Sequence, residues 1–173
     1  MDSHDLAESA LYALSEQVGA ALKAHGLMLA TAESCTGGWV GQVVTAVPGS
    51  SHWYDRGFIT YTNQSKQELL GVSAQTLADH GAVSEETVRE MAVGALQRSH
   101  AQISLAISGI AGPGGAVPGK PVGTICFGWC LIGELPTSET QHFDGDRTAV
   151  RRQAVDHALR GAIKRLQGAS QFA

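Results

Sequence analysis

The sequence predicts an α/β fold: a three-layer α/β/α sandwich with a mixed, largely parallel sheet. Three observations support it. Helical segments separate the first three of four apolar, β-type runs, the order that makes parallel strands covered on both faces. The fourth run is followed by a further extended stretch instead of a helix, which requires an antiparallel hairpin. Glycine is abundant, 21 residues, and gathers in loops after strands, where backbone without a Cβ can approach a ligand closely.

In order, Leu6 to His25 reads as a helix: Leu11, Leu14, Val18, Ala21 and Leu22 recur at helical spacing, and Gly26 is a stop. Leu27 to Ala32 is a first strand, and Thr36 to Val47 a helix closed by Pro48-Gly49. Tyr54 to Thr62, rich in aromatic and β-branched residues, is a second strand. Gln64 to Leu70 and Ala74 to His80 are short helices. Ser84 before Glu85-Glu86 is a cap with an acidic first turn. It opens a helix to about His100, with Val88, Met91, Ala92 and Ala95 inward. That apolar face suits the sheet or a second copy of the chain, so a homo-oligomer is expected. Ile103 to Ser108 is a third strand, Gly109 to Pro121 a glycine- and proline-rich loop, and Val122 to Ile132 a fourth strand. Thr140 to Phe143 closes the hairpin, and Asp146 caps a final helix to about Leu166.

The 173 residues make one domain, 1–173, with no linker, repeat or low-complexity tract. With 43% hydrophobic and 16% charged residues the chain can bury a substantial core. A net charge of −4 without a basic block argues against nucleic-acid and membrane-surface roles. The apolar runs are too short to span a bilayer, and the acidic start Met1-Asp2-Ser3-His4-Asp5 has no signal-peptide core. A cytoplasmic location is expected. Cys35, Cys126 and Cys130 are an odd set without a Cys-x-x-Cys spacing, which speaks against a disulfide framework or zinc knuckle.

If the first three strands are parallel, their carboxyl ends share one edge, where open α/β sheets place ligands. Four loops converge there: Glu33-Ser34-Cys35-Thr36-Gly37-Gly38, Tyr61-Thr62-Asn63-Gln64-Ser65-Lys66, Ser108 to Gly115, and Asp144-Gly145-Asp146-Arg147. The first offers two nucleophiles, Ser34 and Cys35, at a helix start whose outward N–H groups suit a phosphate or an oxyanion. A serine needs a base. Lys66 can serve if desolvation lowers its pKa, with Tyr61 as relay. Each has a plainer reading: Ser34 as helix cap, Lys66 as solvated surface charge, Cys35 as buried core. Arg147 suits a phosphate or carboxylate, or solvent. The loop ending Gly119-Lys120 fails as a Walker A motif, because Pro121 stands where Ser or Thr is needed and a strand follows. His142, Asp144 and Asp146 alternate, but cap and turn roles explain the aspartates better than a metal does. Cys126 and Cys130 read as core. Trp39, Trp53 and Trp129 read as packing residues, with Trp53 or Tyr54 as candidates to stack on a ring.

Several ordered blocks resemble one family. They are Ala32 to Gly38, Gly57-Phe58-Ile59-Thr60-Tyr61, Gly81-Ala82-Val83-Ser84, Ser108-Gly109-Ile110-Ala111-Gly112-Pro113, Pro118 to Thr124 and Gly145-Asp146-Arg147. The chain is similar, from about Leu6 to Leu166, to the competence-damage-inducible protein CinA C-terminal domain family. The resemblance implies an α/β/α fold and hydrolysis of the carboxamide of nicotinamide mononucleotide to nicotinate mononucleotide and ammonia, in pyridine nucleotide salvage. It implies no metal or other cofactor, and a small-molecule nucleotide as the partner. The family's serine falls on Ser34, its lysine on Lys66 and its tyrosine on Tyr61. The expected substrate contacts are Glu33, Thr36, Gly37, Gly38, Asn63, Ser108, Gly109, Gly112, Pro113 and Arg147. The additional N-terminal domain of full-length CinA proteins is expected to be absent. The alternative is a nucleotide-binding module of the same fold without catalysis.

Overall fold

A computed structural model describes residues 3–169. The chain runs α1 (Ser3–His25), β1 (Leu29–Glu33), α2 (Trp39–Thr45), a 3-10 turn (Ser50–His52) and β2 (Tyr54–Ile59). It continues through α3 (Asn63–Leu70), α4 (Ala74–His80), α5 (Glu85–Gln97), β3 (Ile103–Gly109), β4 (Thr124–Leu131), β5 (Thr137–His142) and α6 (Arg147–Ala169). Met1 and Asp2 of the acidic start, and residues 170–173 of the expected domain, lie outside the described residues.

One five-stranded sheet forms in the order β2-β1-β3-β4-β5. β1 pairs in parallel with both β2 and β3, whereas β4 and β5 are antiparallel. The carboxyl ends of β1, β2 and β3 therefore share one edge, and the loop into β4 returns to it. The sheet is open and mixed, as the alternation of elements requires.

Side chains alternate across the sheet, and the two faces differ. Leu29, Ile103, Leu105, Ile107, Ile125, Phe127 and Trp129 join the larger core, shared with Leu14, Val18 and Leu22 of α1 and Val155, Leu159 and Leu166 of α6. Ala32, Ala106, Cys126 and Cys130 join the smaller core, with Val88, Met91, Ala92 and Ala95 of α5. The apolar face of α5 is thus spent on the sheet. Its close approach needs residues without side chains. A Cβ on Gly128 would lie 2.4 Å from the Val88 carbonyl oxygen, and one on Gly94 would lie 1.9 Å from that of Leu70.

The predicted order of α-helices and strands is the observed one, with shifted ends and the 3-10 turn at Ser50–His52 added. The helix expected from Thr36 begins at Trp39, because Gly37 and Gly38 turn with φ of 59° and 98°. The second strand stops at Ile59, because Thr62 turns to cap α3. The Asp146 cap is present, its Oδ1 accepting from the Ala149 N–H at 2.8 Å. Trp53 is fully buried against α1 at Gly19, and the Tyr54 hydroxyl bonds Thr31 Oγ1 at 2.9 Å. Both stand at the end of β2 away from the loops, so neither is placed to stack on a ligand there. No helix among the described residues is long and apolar enough to cross a membrane.

Candidate active site

Ser34 follows the last residue of β1, and its N–H continues the ladder to the Ile107 carbonyl at 3.0 Å. The hydroxyl faces the side of the sheet covered by α3 and α5. There Lys66 Nζ meets Ser34 Oγ at 3.0 Å and the Thr60 carbonyl oxygen at 2.7 Å. Lys66 is 1% exposed and Ser34 8%.

The sequence around Lys66 explains its burial. Thr62 caps α3 by accepting from the Ser65 N–H, and the Ser65 hydroxyl accepts from the Thr62 N–H. Gly71, at φ 69°, closes the helix, its N–H donating to the Gln67 carbonyl and that of Val72 to the Lys66 carbonyl. Lys66 and Leu70 are four apart, hence on one face, and both are buried. A short helix fixed at both ends thus drives an amine into the sheet edge.

Neutral partners receive that amine. Among the described residues no carboxylate forms an ion pair with Lys66. Desolvation lowers its pKa to about 8, opposed by the nearby Cys35. At neutral pH an appreciable fraction is the free amine, which can accept the Ser34 proton along the same contact.

Cys35 points the other way, into the larger core, and burial pushes its thiol up to about 12. It is a packed thiol with negligible thiolate at neutral pH. The two neighbours differ in orientation: Ser34 meets the Lys66 amine and Cys35 enters the core.

The turn after Ser34 differs from expectation. Glu33 is not presented to a ligand at the sheet edge. It is 2% exposed, and its carboxylate accepts from the N–H groups of Val40 at 2.9 Å and Gly41 at 3.1 Å. A strand residue thus caps the helix seven residues ahead, and the first-turn N–H groups of α2 are consumed. Gly37 donates to the Ser34 carbonyl and Trp39 to the Thr36 carbonyl. Among the described residues, no hydrogen bond takes up the N–H of Thr36 or Gly38.

The remaining expected residues fall into distinct groups. Tyr61 is 61% exposed and its hydroxyl accepts from Arg147 Nη2 at 3.0 Å, so it stands at the rim with Arg147 and not in contact with Ser34 or Lys66. A direct proton relay through Tyr61 is therefore not formed. Arg147 also donates to the Gly112 carbonyl at 2.8 Å and ties the loop carrying cis Gly112-Pro113 to Tyr61. Ser108 is buried and donates to the Ala82 carbonyl at 2.7 Å, joining β3 to the segment before α5. Gly109 serves packing, since a Cβ there would lie 2.2 Å from Ile125 Cδ1. Asn63 opens α3 at its exposed surface. Lys120 donates to the His80 carbonyl at 2.9 Å, outside any phosphate loop. Among the described residues no cluster of three or more His, Cys, Asp or Glu is arranged to hold a metal.

Two contributors escaped the sequence reading. The Thr60 carbonyl holds the amine, a role any residue's backbone could fill, so no side-chain signal marks it. Arg151 lies on α6 and binds the carbonyls of Cys35 at 2.9 Å and Thr36 at 3.0 Å. Its position, four residues after Arg147, was the available signal.

The CinA C-terminal domain model matches residues 11–166. Nicotinamide-nucleotide amidohydrolase PncC of Escherichia coli strain K12 is 53% identical over 154 residues, 89% of this chain and 93% of that protein. Among solved structures, a competence-damaged protein (CinA) superfamily protein from Klebsiella pneumoniae superimposes with a TM-score of 0.88 at 40% identity, over 91% of this chain and 98% of that one. The competence/damage inducible protein CihA of Agrobacterium tumefaciens gives 0.86 at 40% identity, over 91% and 95%.

Proposed function

The chain belongs to the CinA C-terminal domain family, and we propose that it hydrolyses the carboxamide of nicotinamide mononucleotide, in pyridine nucleotide salvage, through a serine nucleophile and a lysine base. The observation that carries the mechanism is the buried Lys66 amine 3.0 Å from Ser34 Oγ, with only neutral partners. The substrate follows from the relative named nicotinamide-nucleotide amidohydrolase, at 53% identity over 89% of this chain.

Ser34 Oγ attacks the carboxamide carbon and its proton passes to neutral Lys66 Nζ. Negative charge collects on the former carbonyl oxygen, for which the turn offers the N–H groups of Thr36 and Gly38, which no hydrogen bond among the described residues takes up. Lys66 returns the proton to the leaving nitrogen, the C–N bond breaks and ammonia departs. Water then attacks the acyl-enzyme, giving its proton to Lys66. The ester bond to Ser34 breaks, the proton returns to Oγ, and the acid leaves as the carboxylate once its own proton passes to solvent or to ammonia. Arg147 and the loop through Gly112 and Pro113 form the rim where ribose and phosphate would bind.

Ammonia release from nicotinamide mononucleotide is the test. Wild-type protein should turn over, and Ser34→Ala and Lys66→Ala should each lose on the order of 10³-fold or more in kcat. Turnover by Ser34→Ala with loss in Cys35→Ala would identify the wrong nucleophile. Tight calorimetric binding of the nucleotide without ammonia would favour the non-catalytic module.

A further inference from the structure

We infer that Arg151 is a positioning residue, holding the Cys35–Thr36 peptide so that the Thr36 N–H faces the carbon attacked by Ser34. Resting on the mechanism proposed above, the inference follows from peptide geometry. In a trans peptide the carbonyl and the N–H point in opposite directions. Arg151 Nε draws the Cys35 carbonyl toward α6 at 2.9 Å, so the N–H of the same peptide, that of Thr36, is turned away from α6. The next peptide calibrates the direction. Arg151 Nη2 holds the Thr36 carbonyl at 3.0 Å, and the N–H of that peptide, on Gly37, reaches the Ser34 carbonyl at 3.0 Å. The side away from Arg151 is therefore the side of the Ser34 carbonyl. The Gly37 N–H is used there and the Thr36 N–H is not.

Three further facts fit a built grip. The guanidinium carbon stands 5.3 Å from the Trp39 ring centroid, so the ring helps fix the fork. A Cβ on Gly37 would come 3.5 Å from Arg151 Nη2, leaving the glycine's left-handed turn just clear of it. Arg147 and Arg151 are one helical turn apart, so one face of α6 restrains both the Gly112 loop and the nucleophile turn. A charged donor on a carbonyl also polarises the peptide and strengthens its N–H as a donor. Lysine, with one point charge, cannot hold two carbonyls in a planar fork.

The experiment compares wild type, Arg151→Ala, Arg151→Lys and, as control, Arg160→Ala, whose arginine pairs with Asp156 farther along the same helix. Ammonia release is measured alongside thermal melting and the rate at which a fluorophosphonate labels Ser34. In labelling, Oγ bonds to phosphorus, fluoride leaves and the hydroxyl proton goes to Lys66. Arg151→Ala should lose about one to two orders of magnitude in kcat, short of the ~10²–10³ for deleting a donor outright, with KM within about threefold. Free guanidinium, at concentrations too low to unfold the protein, should restore part of kcat. Arg151→Lys should fall between, labelling should slow in parallel, and Arg160→Ala should match wild type. An unchanged kcat, a loss carried by KM, or a loss that tracks melting without guanidinium rescue overturns the inference. If Arg151→Ala does not fold, Arg151→Lys decides alone, and wild-type kcat in it overturns the inference. Slower labelling of the variant, in a protein that releases no ammonia from the nucleotide, upholds Arg151 and rejects the substrate. Wild type that is neither active nor labelled rejects both.

Discussion

The two faces of the sheet are built from the same strands with opposite side chains. Toward α1 and α6 the strands present Leu, Ile, Phe and Trp; toward α3 and α5 they present Ala32, Ser104, Ala106, Ser108, Cys126 and Gly128. Large side chains on the first face fill space and carry most of the apolar burial. Small ones on the second let neighbouring backbone come close: Ser104 Oγ donates to the Ala92 carbonyl of α5 at 2.6 Å, and Ser108 Oγ to that of Ala82, just before α5. The difference explains where the Ser34–Lys66 pair lies. A buried lysine needs room and polar partners, and the small-residue face supplies both beside Ser34. Ser34 and Cys35 divide along the same line.

Substitutions on the two faces should break differently. Gly94→Ala has the largest expected effect. Its Cβ would press on the Leu70 carbonyl, and Leu70 shares a helix face with Lys66. Stability should fall by about 3 kcal/mol, the upper part of the overpacking range, and kcat should fall with it as the Lys66–Ser34 contact opens. Gly19→Ala, on the opposite face, meets buried Trp53 at 2.7 Å. It should cost about 1–3 kcal/mol in denaturant melts and leave kcat near wild type. Equal kcat losses in the two would erase the distinction between the faces.

Lys66→Met sharpens the comparison by converting the polar face to the apolar one. Below pH 8 the wild type keeps a buried ammonium, and the variant should be more stable by about 1–2 kcal/mol. Between about 8 and the ordinary lysine value of 10.5 the unfolded chain holds more protons than the folded one. Wild-type stability therefore climbs with pH across that window, and the variant's advantage should be gone above it. Melting temperature against pH reads this directly. The same titration governs turnover: kcat/KM should rise with pH and level off above about 8. A profile that falls across that range would require protonated Lys66. The smallest effect belongs to Cys35→Ala, whose turnover should stay within about threefold of wild type, at a stability cost of about 1 kcal/mol for the trimmed core.

Much of this was legible in the chain. Periodicity, β-type runs and cap or turn residues placed the helices and strands in order, because burial and chain reversal leave readable local marks. Ser34 and Lys66 were nominated by residue type, yet 32 positions separate them, and only parallel pairing of β1 with β2 brings the amine to the hydroxyl. Glu33 was misread because an acid at a strand end looks the same whether it meets a ligand or caps a helix. The left-handed backbone of Gly37 and Gly38 decided it by folding α2 back onto the carboxylate. Ser108 and Tyr61, expected at this edge as substrate contact and relay, have protein partners in the structure. Their hydroxyls bond Ala82 and Arg147, 26 and 86 positions away, and no local pattern encodes such distances.

The pairing of α1 with α6 bears on how the molecule assembles. Leu14, Val18 and Leu22 share the larger core with Val155, Leu159 and Leu166, so that core joins the two extremes of the described chain. During synthesis it cannot close until α6 has emerged, whereas α5 can settle on β1 and β3 much earlier. The face that holds Ser34 and Lys66 should thus take shape first, beside a bare hydrophobic surface awaiting its final helix. Ribosome-bound chains stopped before Arg147 should present Trp129 and Phe127 to a chaperone.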